Sequence, residues 1–391
     1  MERKHLMSNT QPDSSNITNN PDQKDPNPKK KKSWVGVAIF AAVCFLVFII
    51  GLSSWITSPK TPDNDIQTRN ATWTDVGFDT PVMFQATCSE SDFVKYTDIV
   101  REVFINNNRL FDQYNPYDGV NNIYLLNLEA ADHPIEVDDR IIQAIERSMD
   151  VHKLVDSYDI TEGKLLSLWH DFRESDDPIV PDADTIAKAK EHTGMEGVLV
   201  DGNMVSFADD TIQLDLGAIA KGQTAQEAKE ALEKAGLDNG YINAGGNAVL
   251  IGNKPDGTAW RVGIQNPDDS GSLVVYETET PTCLVTSGDY QRYVVVDGKR
   301  YSHIIDPHTG YPAQYVRSVT VINEDSTWAD AMSTALFCMS VEDGMKLCEE
   351  QNLEAVWFAE KGSCSLTPDL ETDDFDIYCT PGVKDSITLV N

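Results

Sequence analysis

A chain of 391 residues with 41 % hydrophobic and 24 % charged side chains can bury a sizeable core, as one large domain or two ordinary ones. Its formal net charge of −32 argues against nucleic acid as a partner, because a phosphate backbone repels so acidic a surface. Seven cysteines with no Cys-x-x-Cys pair carry no zinc or thioredoxin-type signature.

Residues 1–33 are polar, lack apolar periodicity and end in Lys29, Lys30, Lys31 and Lys32. They predict a disordered, basic tail. Residues 34–57 follow, with no charge between Lys32 and Lys60 and with Trp34 and Trp55 near the two ends. About 20 apolar residues cross a bilayer, and interfacial tryptophans and N-terminal lysines fix the orientation. The expectation is a single-pass helix in the cell membrane, the tail cytoplasmic and the remainder extracytoplasmic. The apolar run is too long for a cleaved signal peptide, and the segment before it is too long as well. Residues 58–77, with Pro59, Pro62 and several polar side chains, read as a linker. Nearly all of the excess acid falls beyond the apolar run, where it keeps a solvated face.

Residues 78–391 read as one domain. Helical spacing covers 96–114, 138–157 and 182–194, and 221–236 is amphipathic. Short strands with a turn at Asp201-Gly202 fill 197–217. Further strands are expected over 259–267, 272–278, 283–288 and 291–306, the last with a hairpin at Asp297-Gly298. A helix over 329–340 and a strand over 353–362 follow. Helices and strands interleave without a regular βαβ rhythm, so the expected class is α+β. Cys364 and Cys379 flank a short acidic loop and form the first pair to test for a disulfide; buried free thiols are the plainer expectation for most of the cysteines.

Four segments carry candidate chemistry. Asp215-Leu-Gly-Ala-Ile-Ala-Lys221-Gly222 joins a strand to a helix start, where free N–H groups attract phosphate; a plain turn has the same pattern. Tyr241-Ile-Asn-Ala-Gly245-Gly246-Asn247 puts two glycines in a strand-like run, which marks either a bulge or close backbone approach to a ligand. Thr286-Ser287-Gly288-Asp289-Tyr290 precedes His303-Ile304-Ile305-Asp306-Pro307-His308. A histidine such as His303 serves as a general base near neutral pH or as a hydrogen-bonded structural group, and His308 sits in a solvated turn. Asp330 and Thr334 share a helix face, suiting Mg²⁺ or a local hydroxyl-to-carbonyl bond.

Taken in order, these segments, with Phe78-Asp79-Thr80 and Arg109 to Ile123, resemble the ApbE family of FAD:protein FMN transferases. The resemblance covers about residues 78–365. It implies an α+β domain that takes FAD as substrate and uses Mg²⁺ to transfer FMN to a Thr or Ser hydroxyl, releasing AMP. It assigns FAD contacts to Phe78, Tyr114, Asp215, Lys221, Asn243, Gly245, Gly246, Ser287 and Ile304. It assigns the metal to the Ala218 carbonyl, Asp330 and Thr334, and the general base to His303. Family acceptors carry Asp-x-x-Ser/Thr-Gly-Ala-Ser/Thr, a motif missing from this chain, so the expected acceptor is a different protein. Phe78-Asp79-Thr80 stands where many members have Met-Gly-Thr, and His308 where Arg is common. Competing readings are an FAD pyrophosphatase, a surface flavin carrier that does not turn FAD over, and a ligand-free ectodomain.

Overall fold

The computed structural model describes residues 65–191 and 194–390. The expected tail (1–33), spanning helix (34–57) and the first part of the linker lie outside the described residues. Among the described residues no helix is long and apolar enough to cross a membrane.

The strands are β1 (Gln67–Trp73), β2 (Val82–Cys88), β3 (Ile135–Glu136), β4 (Val198–Asp201), β5 (Met204–Phe207), β6 (Gly240–Ala244), β7 (Asn247–Ile251), β8 (Trp260–Gln265), β9 (Ser272–Thr278), β10 (Cys283–Gly288), β11 (Tyr293–Val296), β12 (Lys299–Ser302), β13 (Ser318–Asn323), β14 (Glu354–Glu360), β15 (Leu370–Glu371), β16 (Phe375–Cys379) and β17 (Ile387–Leu389). The helices are α1 (Glu90–Phe111), α2 (Ile123–Glu129), α3 (Asp139–Leu154), α4 (Gly163–Glu174), α5 (Ala183–Ala189), α6 (Ala220–Lys234), α7 (Ser326–Phe337) and α8 (Val341–Gln351).

Nine strands form one sheet in the order β1-β2-β6-β7-β10-β13-β14-β16-β15, each neighbouring pair antiparallel. The α+β expectation is met. The period-2 alternation of side chains explains how one sheet feeds two cores. In β14, Ala355, Trp357 and Ala359 face the core that includes α7, while Val356 and Phe358 face the core shared with the sheet β17-β9-β8. A strand buried on both faces reads as a continuous apolar run, which is why 353–362 was legible as a strand.

β1 corrects the predicted linker. Gln67–Trp73 pairs with β2 along its whole length and forms the edge of the sheet. Its side chains are mostly exposed, so the apolar signal was missing; the backbone pairing stabilises it instead. α1 begins earlier than the apolar pattern suggests, because Ser89 caps it by accepting from the Asp92 N–H. The hairpin at Asp297-Gly298 forms as expected, with φ of 52° and 77°, the left-handed pair that a tight two-residue turn needs. Cys364 and Cys379 are not bridged: all cysteines among the described residues are free thiols.

Two helices set up the site. α7 is rich in Ala and Ser, packs on β10 and β13, and meets α6 at close range. α4 belongs to a smaller cluster in which Leu165, Trp169 and Phe172 pack with Ile186 of α5, Tyr301 of β12 and Ile305. Trp169 stacks on Tyr301 with ring centroids 5.9 Å apart, and its indole N–H donates to the Gly310 carbonyl at 2.8 Å.

Candidate active site

A cavity of about 440 Å³ opens where α6, α7, the end of β10, α4 and the β11–β12 ribbon converge, a volume suited to a small-molecule ligand. Phe78, Tyr114, Asp215, Ala218, Lys221, Ser287, His303, Ile304, Asp330 and Thr334 all line it. These residues are separated by as much as two thirds of the chain, and the fold brings them together as expected.

The Asp215–Gly222 segment is built as a cradle. Asp215 accepts from the Gly217 N–H at 2.7 Å and from Gln113 Nε2 at 2.6 Å, which fixes the turn that leads to Ala218 on the cavity wall. The helix start delivers Lys221 to the cavity, and the Gly222 N–H donates to Asp330 Oδ2 at 2.7 Å. Asp330 is 3 % exposed. Burial, opposed by the Lys221 charge, raises its carboxyl pKa. Asp330, Thr334 and Ala218 share the cavity wall, and a buried carboxylate with hydroxyl and carbonyl oxygens is a hard-oxygen donor set of the kind that would suit a cation such as Mg²⁺. Among the described residues there is no cluster of three or more His, Cys, Asp or Glu fit to hold a metal. Any cation here therefore relies on the mixed donors just named.

His303 follows β12, and its backbone N–H donates to the Arg292 carbonyl at 3.1 Å. Its Nδ1 is enclosed and has no hydrogen-bond partner. Burial first, then the charges of Arg292, Lys221 and Arg173, hold its pKa well below the usual histidine value. The imidazole is neutral at pH 7, the state a general base requires. Ser287 shares a 2.8 Å hydrogen bond with Ser333, whose hydroxyl also donates to the Asp330 carbonyl at 2.9 Å.

The same cavity also has aromatic walls. Tyr114 packs against His170 with ring centroids 5.2 Å apart. Burial and nearby Asp215 push the Tyr114 phenol up to about 12, so it is un-ionised. Phe78 sits edge-on to Phe104 at 6.0 Å, and Gly77, Phe78 and Asp79 all have positive φ, at 100°, 61° and 49°. The Phe78 N–H bonds to Asn108 Oδ1 at 2.8 Å, and a Cβ on Gly77 would stand 2.2 Å from the same side chain. This left-handed run is what turns the Phe78 ring into the wall.

Asn243, Gly245 and Gly246 do not line the cavity. Gly245 and Gly246, with φ of 58° and 100°, form the two-residue turn between β6 and β7. A Cβ on Gly245 would meet Thr80 Oγ1 at 2.2 Å, and Asn243 Oδ1 caps the turn by accepting from the Gly246 N–H at 3.2 Å. The glycines answer to hairpin geometry. They reach the site only through Thr286 and Gln291, which bond to the Gly246 and Gly245 carbonyls.

Sequence reasoning missed His170, Arg173, Arg292 and Gln113, all on the cavity wall. Leu166, His170 and Arg173 follow one another at helical spacing on α4, one face round from the apolar Leu165, Trp169 and Phe172. That second stripe was the available signal.

A neutral imidazole, lysine and arginine side chains, and hard-oxygen donors around one cavity are the parts of a phosphoryl-transfer site in an α+β enzyme. The sequence profile of the ApbE family matches residues 78–357. The chain belongs to the ApbE family. It is 30 % identical over 267 residues to an FAD:protein FMN transferase of Vibrio cholerae, a match that covers 66 % of this chain and 80 % of that one. An FAD:protein FMN transferase of Klebsiella pneumoniae is 33 % identical over 248 residues, covering 62 % and 76 %. The crystal structure of the ApbE protein of Thermotoga maritima superposes with a TM-score of 0.68 at 30 % identity, covering 74 % of this chain and 94 % of that one.

Proposed function

We infer that the protein is an FAD:protein FMN transferase. The observation that carries the reading is a neutral, enclosed His303 in the same cavity as Lys221, Asp330 and Thr334. The names of its relatives point the same way.

In this reading the flavin ring lies against Tyr114 and Phe78, and the pyrophosphate lies towards Lys221 at the start of α6. His303 takes the proton of an acceptor Thr or Ser hydroxyl as that oxygen bonds to the FMN-side phosphorus. The phosphorus–oxygen bond to AMP breaks, and AMP leaves with the electron pair. Ala218, Asp330 and Thr334 would hold Mg²⁺, which supplies neutralising charge to the pyrophosphate. The acceptor is a separate protein with the Asp-x-x-Ser/Thr-Gly-Ala-Ser/Thr motif.

The apolar run at 34–57 and its flanking lysines support a single-pass anchor with the domain outside the cytoplasm. There a covalent flavin cannot diffuse away, and the role is maturation of extracytoplasmic electron-transfer flavoproteins. Protease added to intact cells would digest the domain if this topology holds, and spare it if the domain is cytoplasmic.

The chemistry is tested by incubating the full chain with FAD, Mg²⁺ and a domain bearing the acceptor motif, then taking an intact mass. An FMN phosphoester adduct that disappears with EDTA and with His303→Ala supports transfer. AMP and free FMN with no adduct favour a pyrophosphatase, and unchanged bound FAD favours a carrier.

A further inference from the structure

Several part-buried arginines of this acidic chain are held by carboxylates. Arg140 pairs with Asp138, and Arg300 and Arg317 both pair with Asp289. Arg173, part-buried, and Arg292, exposed, differ: both are on the cavity wall and neither forms an ion pair among the described residues. Arg173 Nη1 has neither solvent nor a protein partner. A guanidinium does not shed its proton to escape this, so the cost of leaving that N–H unpaired persists until an acceptor arrives. Burial and the like charge of Arg292 both act against Arg173.

The placement is enforced. Arg173 is in the last turn of α4, one residue past Phe172 and four past Trp169, both anchored in the cluster with Tyr301. Arg292 precedes β11, and its carbonyl is tied to the His303 N–H. One small aromatic cluster thus fixes both the helix and the ribbon that carry the two cations. Both, with Lys221, are near enough to His303 to bear on its charge.

We propose that Arg173 and Arg292 form a preorganised recess for an oxyanion, a phosphate or carboxylate oxygen, beside the group that His303 activates. The proposal rests on the transferase reading and adds a binding element to it. A guanidinium pair offers several N–H donors in a fixed plane, which suits the paired oxygens of a phosphoryl or carboxylate group. Two sources supply that chemistry: the phosphates of the flavin nucleotide, or a carboxylate on the acceptor next to its hydroxyl.

The test uses the full chain with Arg173→Met, Arg173→Lys and Arg292→Met, and four probes: FAD, riboflavin, inorganic pyrophosphate and an acceptor peptide. If the nucleotide fills the recess, Arg173→Met and Arg292→Met weaken FAD and pyrophosphate binding roughly 10- to 100-fold. Arg173→Lys then recovers part of the loss, and riboflavin binding does not change. If the acceptor fills it, FAD affinity stays and the acceptor KM rises by a similar factor. Unliganded Arg173→Met should melt no lower than wild type, because it removes an unpaired charge. A lower melting temperature, or no change in any of the FAD, pyrophosphate and acceptor measurements, overturns the proposal. Should wild type bind pyrophosphate through the arginines yet not bind FAD, the recess stands and the transferase reading falls. Wild type that binds neither overturns both.

Discussion

The backbone N–H of Gly222 donates to Asp330 Oδ2, and Gly222 also has no room for a side chain: a Cβ there would lie 2.4 Å from the Asp330 Cβ and 2.3 Å from the Ser326 carbonyl. The last glycine of the Asp215–Gly222 motif is therefore a contact between α6 and α7. It sets the distance between Lys221 and the Asp330 carboxylate. Gly222→Ala should push the two helices apart, costing about 1–3 kcal/mol in urea unfolding. FAD turnover should fall further than stability alone explains. A variant of wild-type stability and rate would refute the close-approach account.

Asp330 gives a prediction with opposite signs for stability and function. Its pKa is raised, so at pH values above the usual carboxylate range the folded state holds the proton more tightly than the unfolded chain. Stability is lost as pH rises through the window from that range up to the raised value. Asp330→Asn keeps the shape and an oxygen for the Gly222 N–H while removing the charge. The unliganded variant should be more stable at pH 7 by on the order of 1 kcal/mol. Its transfer rate should drop by about 100-fold or more. Thermal melts with and without Mg²⁺ should show a metal response only in wild type.

His303 predicts the reverse pH behaviour. Its pKa lies well below the usual value, so between that lowered value and about 6.5 the unfolded chain binds the extra proton. Its contribution is fully present above pH 6.5 and is lost as pH falls, at up to about 1.4 kcal/mol per pH unit. Comparing urea unfolding of wild type and His303→Gln at pH 7 and pH 5.5 isolates the effect. The gap between the two proteins should shift in favour of the variant at the lower pH; parallel behaviour would mean the imidazole titrates normally.

Tyr114 separates stacking from ionisation. Its phenol, pushed up to about 12, is neutral in the working range. Tyr114→Phe should therefore keep FAD affinity and rate within about threefold, whereas Tyr114→Ala should weaken flavin binding about tenfold through lost ring contact. Flavin fluorescence titration reads both. Equal losses in the two variants would point to the hydroxyl instead.

Gly245→Ala tests the reassigned glycine pair. With φ of +58° and Thr80 against it, the substitution should cost about 1–3 kcal/mol of stability. FAD affinity measured below the melting range should stay within about threefold. A selective loss of FAD binding would restore direct contact between this turn and the ligand.

The sequence made the centre of the molecule readable and its margins less so. Strands buried on both faces, such as β14, and the amphipathic α6 announce themselves by apolar pattern. β1 did not, because an exposed edge strand depends on backbone pairing that no residue type records. α4 was also missed: it starts at Gly163 with no side-chain cap, and its stabilising contacts come from distant Tyr301 and Ile305. The site divides similarly. Asp215, Lys221, Ser287, His303, Asp330 and Thr334 stand in ordered motifs legible in the sequence, and they line one cavity. His170 and Arg173 were not, because a polar stripe facing a cavity has the same composition as one facing water. The glycine pair is ambiguous for a related reason, since a left-handed turn and a ligand approach both call for glycine.

The order of strands in the large sheet has a consequence for how the chain matures. β2 lies between β1 and β6, and β6 is made long after β2 during synthesis, with α1 to α6 between them. α7, which carries Asp330 and Thr334, emerges only after three hundred residues have passed. Until then the cavity lacks the wall that α7 supplies, although β7, β10 and β13 have already been made. A pairing between such distant strands slows closure of the sheet. Competence to handle a nucleotide thus waits on α7, and a chain released before it lacks the wall that carries Asp330 and Thr334.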